Sequence, residues 1–176
     1  MSKVAKIAVL MTSMFEDVEY TDPVQALKDD GHELKVISDE KGKTIKGKQG
    51  EEEVTVDEGI DNISPEVFDA LLLPGGFSPD ILRGDERFVE FVKHFMYANK
   101  PVFAICHGPQ LLITAGTLSG RSVTGFKSIH VDLKNAGANV FDEEVVVCGK
   151  LVTSREPKDI PAFNKTIGEV LRKEYS

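Results

Sequence analysis

Short runs that are wholly or mostly apolar alternate along this chain with stretches whose apolar residues recur every three or four positions. Ile7–Met11, Leu34–Ser38, Asp69–Leu73 and Val102–Ile105 are of the first kind. Ile7–Met11, Asp69–Leu73 and Val102–Ile105 predict strands buried on both faces, because a strand with one wet face would alternate apolar and polar residues, and Leu34–Ser38 predicts a further strand. Glu16 to about Asp30 predicts a helix stopped by Gly31, with Pro23 either kinking it or marking a second start capped by Asp22. The clearest helical stripe is Phe88, Phe91, Val92 and Phe95. Gln110–Ala115, a stretch near Ile129–Ala136 and the segment up to about Lys173 predict further helices. Short strands are predicted after Gly120, at Val145–Cys148 and at Leu151–Ser154. The Lys- and Gly-rich stretch 40–50 reads as a solvated loop or loose hairpin, and Glu53–Val56 as a hairpin or edge strand. Ser78-Pro79 offers a helix cap followed by proline at the first helical position.

Strands alternating with helices imply a mainly parallel sheet with helices on both faces. Nothing resembles a linker or an internal repeat, so residues 1–176 are read as one α/β domain. That length buries roughly two-thirds of the unfolded surface without any covalent staple. Apolar residues make up 41% and charged residues 28%, which suits a globular chain. A net charge of −8 disfavours nucleic acid and anionic membrane as partners. No apolar run approaches the ~20 residues of a membrane helix. Met1–Leu10 lacks the features of a signal peptide, and the protein is expected in the cytoplasm. In that reducing compartment Cys106 and Cys148 are expected to stay unbridged.

The chemistry concentrates at Cys106. A buried strand runs into Cys106-His107-Gly108-Pro109 and then into an apolar helix, the layout of a nucleophile elbow. Small residues flank the turn, Ala104 before and Gly108 after. A helix N-terminus there would favour the thiolate and lower its pKa. The N–H groups of the turn, including that of His107, together with that of Gly76 would form an oxyanion hole. Parallel sheets bind ligands beyond the carboxyl ends of their strands. The strand exits near Glu16, at Gly75-Gly76 and at Cys106 are expected to share that crevice. His107 is either a general base for Cys106 or a cap on the elbow. Glu16, pressed beside a thiol, would have a raised pKa and shuttle a proton; its plainer role is a cap in the acidic run Glu16-Asp17-Val18-Glu19. Cys148 follows a valine run with no helix after it and reads as structural. No cysteine–histidine spacing suggests zinc, and no phosphate-loop or dinucleotide fingerprint is present.

Several segments together resemble the ThiJ/PfpI family, in particular its PfpI-like branch. They are Phe15–Glu19, Thr44–Gly50, Phe68–Gly76, Ser78–Arg83, Phe103–Gln110, Asn135–Ala138 and Val152–Arg155. The resemblance implies a flavodoxin-like three-layer sandwich of the class I glutamine amidotransferase type, with a nucleophile at Cys106. It implies a buried glutamate at Glu16, and a pairing of His107 with a carboxylate from a neighbouring subunit. The matching position is Asp80, one methylene shorter than the glutamate of some relatives. It further implies a homo-oligomer, no cofactor and no metal. Glutamine amidotransferase activity itself is rejected, because no histidine follows His130 to serve as base. The activity favoured is cofactor-independent glyoxalase or deglycase chemistry on a small-molecule aldehyde or glycated substrate. The alternatives are an intracellular cysteine peptidase and a redox-sensing stress chaperone.

Overall fold

The computed structural model describes residues 4–175; residues 1–3, where the stretch examined for a signal peptide begins, lie outside them. In chain order the elements are β1 (Lys6–Leu10), α1 (Asp17–Asp29), β2 (Glu33–Ser38), β3 (Thr44–Lys46), β4 (Glu53–Thr55), β5 (Glu58–Gly59) and β6 (Ala70–Leu73). Then follow α2 (Ser78–Arg83), α3 (Glu86–Tyr97), β7 (Val102–Ile105), α4 (Gln110–Thr114), β8 (Ser122–Val123) and α5 (His130–Asn135). The chain finishes with β9 (Asn139–Val140), β10 (Val146–Cys148), β11 (Leu151–Ser154) and α6 (Ile160–Tyr175).

The central sheet has seven strands in the order β10-β11-β7-β6-β1-β2-β5. Its pairs are parallel except β10 with β11. The five long parallel strands therefore run second, first, third, fourth, fifth, which is the flavodoxin-like order, and the strand order reverses between β1 and β6. The apolar runs are explained by two separate cores. Ala8, Leu10, Leu71, Leu73, Val102 and Ala104 face one, with Phe88, Phe95 and Leu111. Ile7, Val9, Ala70, Leu72, Phe103 and Ile105 face the other, with Leu27, Phe163 and Ile167. Helices α1 and α6 pack together on this second face, while α2, α3 and α4 pack together on the first.

Several expectations are corrected. The helix α1 runs unbroken through Pro23, and Asp22 caps nothing. For residues 40–56 the hairpin alternative is the one found: β3 and β4 form a two-stranded antiparallel ribbon separate from the main sheet. Ser78 is the first residue of α2 and does not cap it. Its hydroxyl instead accepts the Thr12 N–H at 2.9 Å, tying the exit of β1 to that of β6. The short strands β5 and β9 were not foreseen. No helix among the described residues is long and apolar enough to cross a membrane.

Candidate active site

The exits of β1, β6 and β7 converge at the point where the strand order reverses. Phe15 bridges Gly76, Glu16 N–H donates to Gly75 O at 3.2 Å, and Phe77 N–H donates to Met14 O at 2.8 Å. This convergence needs glycine. A Cβ on Gly75 would lie 2.4 Å from Glu19 Oε1 and 2.8 Å from Cys106 Cβ. Gly76 has φ +80°, and a Cβ there would lie 2.4 Å from Met14 O.

Cys106 has φ +63°, left-handed backbone that a side chain other than glycine's rarely adopts. The strain is held from both sides: its N–H donates to Ser154 O at 3.0 Å, and its carbonyl accepts from Phe126 N–H at 2.8 Å. The residue is 8% exposed. Burial pushes the thiol above its ordinary pKa and a charged Glu19 pushes it further; the N–H groups of His107 and Gly76, donating to the sulfur, pull the other way. The expected lowering by a helix terminus is therefore corrected. Helix α4 starts only at Gln110 and is five residues long, so its dipole is remote and small.

The glutamate against the thiol is Glu19, not Glu16. Glu19 is 0% exposed. Its Oε1 accepts the Gly75 N–H at 2.9 Å. Its Oε2 is buried without a nitrogen or oxygen partner, and its other hydrogen-bonding neighbour is the Cys106 thiol. Burial raises the Glu19 pKa to about 8 against the opposing hydrogen bond from Gly75, with the nearby Glu16 charge adding to the rise. At neutral pH this carboxyl keeps its proton. It then no longer repels a thiolate but can donate to one, so thiol and carboxyl titrate as a pair.

Glu16 is the N-cap residue of α1 and turns outward. Its Oε1 accepts from Gln49 Nε2 at 3.1 Å, and its Oε2 lies 3.5 Å from Lys48 Nζ. Between the two glutamates, Asp17 is buried and accepts the N–H groups of Gln49, Glu51 and Glu52 at 2.8, 3.0 and 2.9 Å. Burial would raise its pKa, yet these donors hold it below the usual carboxylate range. Asp17 thus pins the 47–52 turn of the ribbon beside the site, a role the sequence reading missed.

His107 Nδ1 lies 3.4 Å from Cys106 Sγ, and its Nε2 lies 3.4 Å from Ser128 Oγ. Its ring is half-buried against Phe126, with ring centres 5.0 Å apart. Burial and the Lys48 charge lower the imidazole pKa, and Asp80 opposes them. The ring is therefore neutral at pH 7. Asp80 is exposed on α2 and makes no hydrogen bond with His107 in its own chain. Gly76 and His107 do bring two backbone N–H groups to the sulfur. Cys148 is half-buried and unbridged, with Arg121 Nε 3.2 Å from its sulfur. No metal-binding cluster of three or more ligands occurs among the described residues.

The DJ-1/PfpI family profile matches residues 5–170 of this chain. The chain belongs to the DJ-1/PfpI family. It is 64% identical over 169 residues to general stress protein 18 of Bacillus subtilis strain 168, covering 96% of this chain and 98% of that one. It is 58% identical over 161 residues to protein/nucleic acid deglycase 2 of Escherichia coli K12, covering 91% and 94%. Among solved structures, a protein from Anabaena variabilis superposes with a TM-score of 0.92 at 39% identity. That match covers 97% of this chain and 48% of the other, which is described as containing a DJ-1/ThiJ/PfpI-like and a ferritin-like domain. The DJ-1/PfpI assignment agrees with the resemblance read from the sequence, and the flavodoxin-like sheet agrees with these neighbours.

Proposed function

We propose that this DJ-1/PfpI protein is a cysteine-dependent, cofactor-independent stress-protection enzyme that acts on reactive dicarbonyls or their adducts. The observation that carries the reading is a fully buried carboxyl, Glu19, that holds its proton to about pH 8 against the Cys106 sulfur. A structural carboxylate would be solvated or ion-paired; this one is kept neutral beside a nucleophile. The relative named a deglycase and the one named a general stress protein support the same reading.

With methylglyoxal, the Cys106 thiol gives its proton to the neutral His107 ring, whose Nδ1 lies 3.4 Å from the sulfur, the sulfur bonds to the aldehyde carbon and the aldehyde oxygen takes the Glu19 proton, giving a hemithioacetal. The N–H groups of Gly76 and His107 stabilise the oxygen while it carries charge. Glu19, now a carboxylate, takes the hydrogen of that carbon. Moving it to the neighbouring carbon through the enediol yields the thioester of lactate. Water then cleaves the carbon–sulfur bond. Methylglyoxal and water become lactate, with the aldehyde oxidised and the ketone reduced, so no outside oxidant is needed.

Asp80 completes the proposal at the level of assembly. His107 lacks a carboxylate partner of its own among the described residues, and Asp80 sits exposed on α2 beside Phe77 and Ile81, which are 54% and 53% exposed. These apolar side chains favour a homo-oligomer in which Asp80 of one subunit orients His107 of another. The unbridged thiols suit a reducing compartment, and we place the protein in the cytoplasm. A cysteine peptidase is the second reading, supported by His107 Nδ1 at 3.4 Å from the sulfur. Purified wild type, Cys106→Ser and Asp80→Asn, assayed on methylglyoxal, a glycated amino acid and a fluorogenic peptide, distinguish the readings. Methylglyoxal turnover abolished by Cys106→Ser is the expected result. Peptide cleavage without dicarbonyl turnover would overturn it.

A further inference from the structure

Lys48 is held in place by more of the fold than a surface lysine needs. Its N–H donates to Phe15 O at 2.7 Å, and the turn around it is bound to Asp17 by the N–H groups of Gln49, Glu51 and Glu52. Gly47 admits no side chain, because a Cβ there would lie 2.3 Å from the Asp17 carboxylate. From this fixed backbone the Lys48 ammonium reaches over the Phe77 ring, 5.1 Å from its centre. Phe77 follows Gly76, whose N–H points at the sulfur. The Lys48 charge acts on both Glu19 and His107, the two groups that flank Cys106. The cation therefore stands at the mouth of the site, over an exposed apolar ring.

Its ion pair is loose. Lys48 Nζ lies 3.5 Å from Glu16 Oε2, and the lysine side chain is 38% exposed. A long pair with a partly exposed lysine is weak and screened by solvent. Glu16 also accepts from the Gln49 amide, so it stays partnered when Lys48 turns away. The arrangement lets an incoming anion replace Glu16 at little cost. One ammonium beside an aromatic ring suits a compact, singly charged anion, and a carboxylate joined to the reacting carbonyl by a short apolar spacer is such a group.

We propose that Lys48 is a substrate-recognition residue that selects carbonyl compounds bearing a carboxylate a few bonds from the carbon attacked by Cys106. The proposal rests on Cys106 as the nucleophile. For a 2-oxo aldehyde of this class, 4,5-dioxopentanoate, the chemistry above balances as dioxopentanoate plus water giving 2-hydroxyglutarate.

The test separates recognition from turnover. In a Cys148→Ser background, Cys106 is alkylated with iodoacetate and with iodoacetamide, two reagents of nearly equal size that differ in charge. The iodoacetate-to-iodoacetamide rate ratio is expected to fall about ten-fold in Lys48→Met and to stay within about two-fold of wild type in Lys48→Arg. Forming ratios within each variant cancels any effect of Lys48 on the reactivity of the sulfur itself. In turnover, the kcat/KM preference for dioxopentanoate over methylglyoxal should be lost in Lys48→Met through KM. An alkylation ratio unchanged by Lys48→Met overturns the inference, even if methylglyoxal is turned over. A Lys48-dependent ratio in a protein that turns over neither dicarbonyl upholds anion recognition and overturns the dicarbonyl reading instead.

Discussion

Glu19→Gln should make the protein more stable and less active. The unfolded chain ionises this carboxyl near the ordinary value of 4.5, whereas the folded protein keeps it protonated to about pH 8. Between those limits the folded state binds the extra proton, so stability from this group falls as pH rises and levels off above about 8. At pH 7 the loss is about 3 kcal/mol, and above pH 8 about 5 kcal/mol, at 1.36 kcal/mol per pKa unit. Glutamine cannot ionise, keeps the shape and still offers an oxygen to the Gly75 N–H, bound by Glu19 at 2.9 Å. The variant should match wild type near pH 4 and exceed it increasingly up to pH 8. For a chain of this length, 1 kcal/mol shifts Tm by about 2–4 °C, so the gain at pH 7 is about 6–12 °C. Thermal unfolding followed by circular dichroism at pH 4.5, 7 and 9 measures it. Dicarbonyl turnover should fall at least ~100-fold in the same variant. A variant no more stable than wild type at pH 9, or a gap that does not widen with pH, would refute the buried neutral carboxyl.

Gly75→Ala should disable the site and cost about 2–3 kcal/mol, because its Cβ would lie 2.4 Å from Glu19 Oε1 and 3.0 Å from Ile105 O; urea unfolding and turnover measure the two effects. Asp17→Asn should loosen the 47–52 turn, since one amide oxygen cannot serve three N–H donors as the carboxylate does. Faster hydrogen exchange at Gln49, Glu51 and Glu52 is the expected sign, with a stability loss of about 1–3 kcal/mol. Burial works to raise the Cys148 pKa, but hydrogen bonding to Arg121 prevails and the thiol sits below the ordinary range. Arg121→Gln should therefore move the pH midpoint of Cys148 alkylation upward, and an unmoved midpoint would show that Arg121 does not stabilise the thiolate.

Strands were legible because each of the central ones serves two cores. A run such as Ala70–Leu73 is apolar at every position, since alternate residues enter opposite layers. The elbow was legible for a similar reason: a buried strand, a small-residue turn and an apolar helix admit few arrangements. The choice among Glu16, Asp17 and Glu19 was not. Three carboxylates on one helical turn differ only in the direction each leaves the axis, and composition does not encode that direction. A signal did exist. Glu19, Pro23 and Leu27 stand four residues apart and are all buried, so the apolar stripe of α1 extended backwards meets Glu19. The same stripe extended from Val24 passes through half-buried Tyr20 to Glu16, at the helix entrance. Ser78 misled for a local reason: its sequence context is that of a cap, but a backbone N–H from another strand's exit captured its hydroxyl.

The bond from Cys106 N–H to Ser154 O also carries a consequence for biosynthesis. The left-handed turn at the cysteine is held by a residue 48 positions downstream, at the end of β11, which pairs with β7. A ribosome delivers residues in order, and a parallel pairing cannot close until its second strand has emerged. Until then the emerging polypeptide carries an unremarkable thiol on a relaxed backbone. The fixed placing of the cysteine beside Glu19 is thereby deferred to the finished molecule, so the site proposed to act on dicarbonyls is assembled only once β11 has been made and paired.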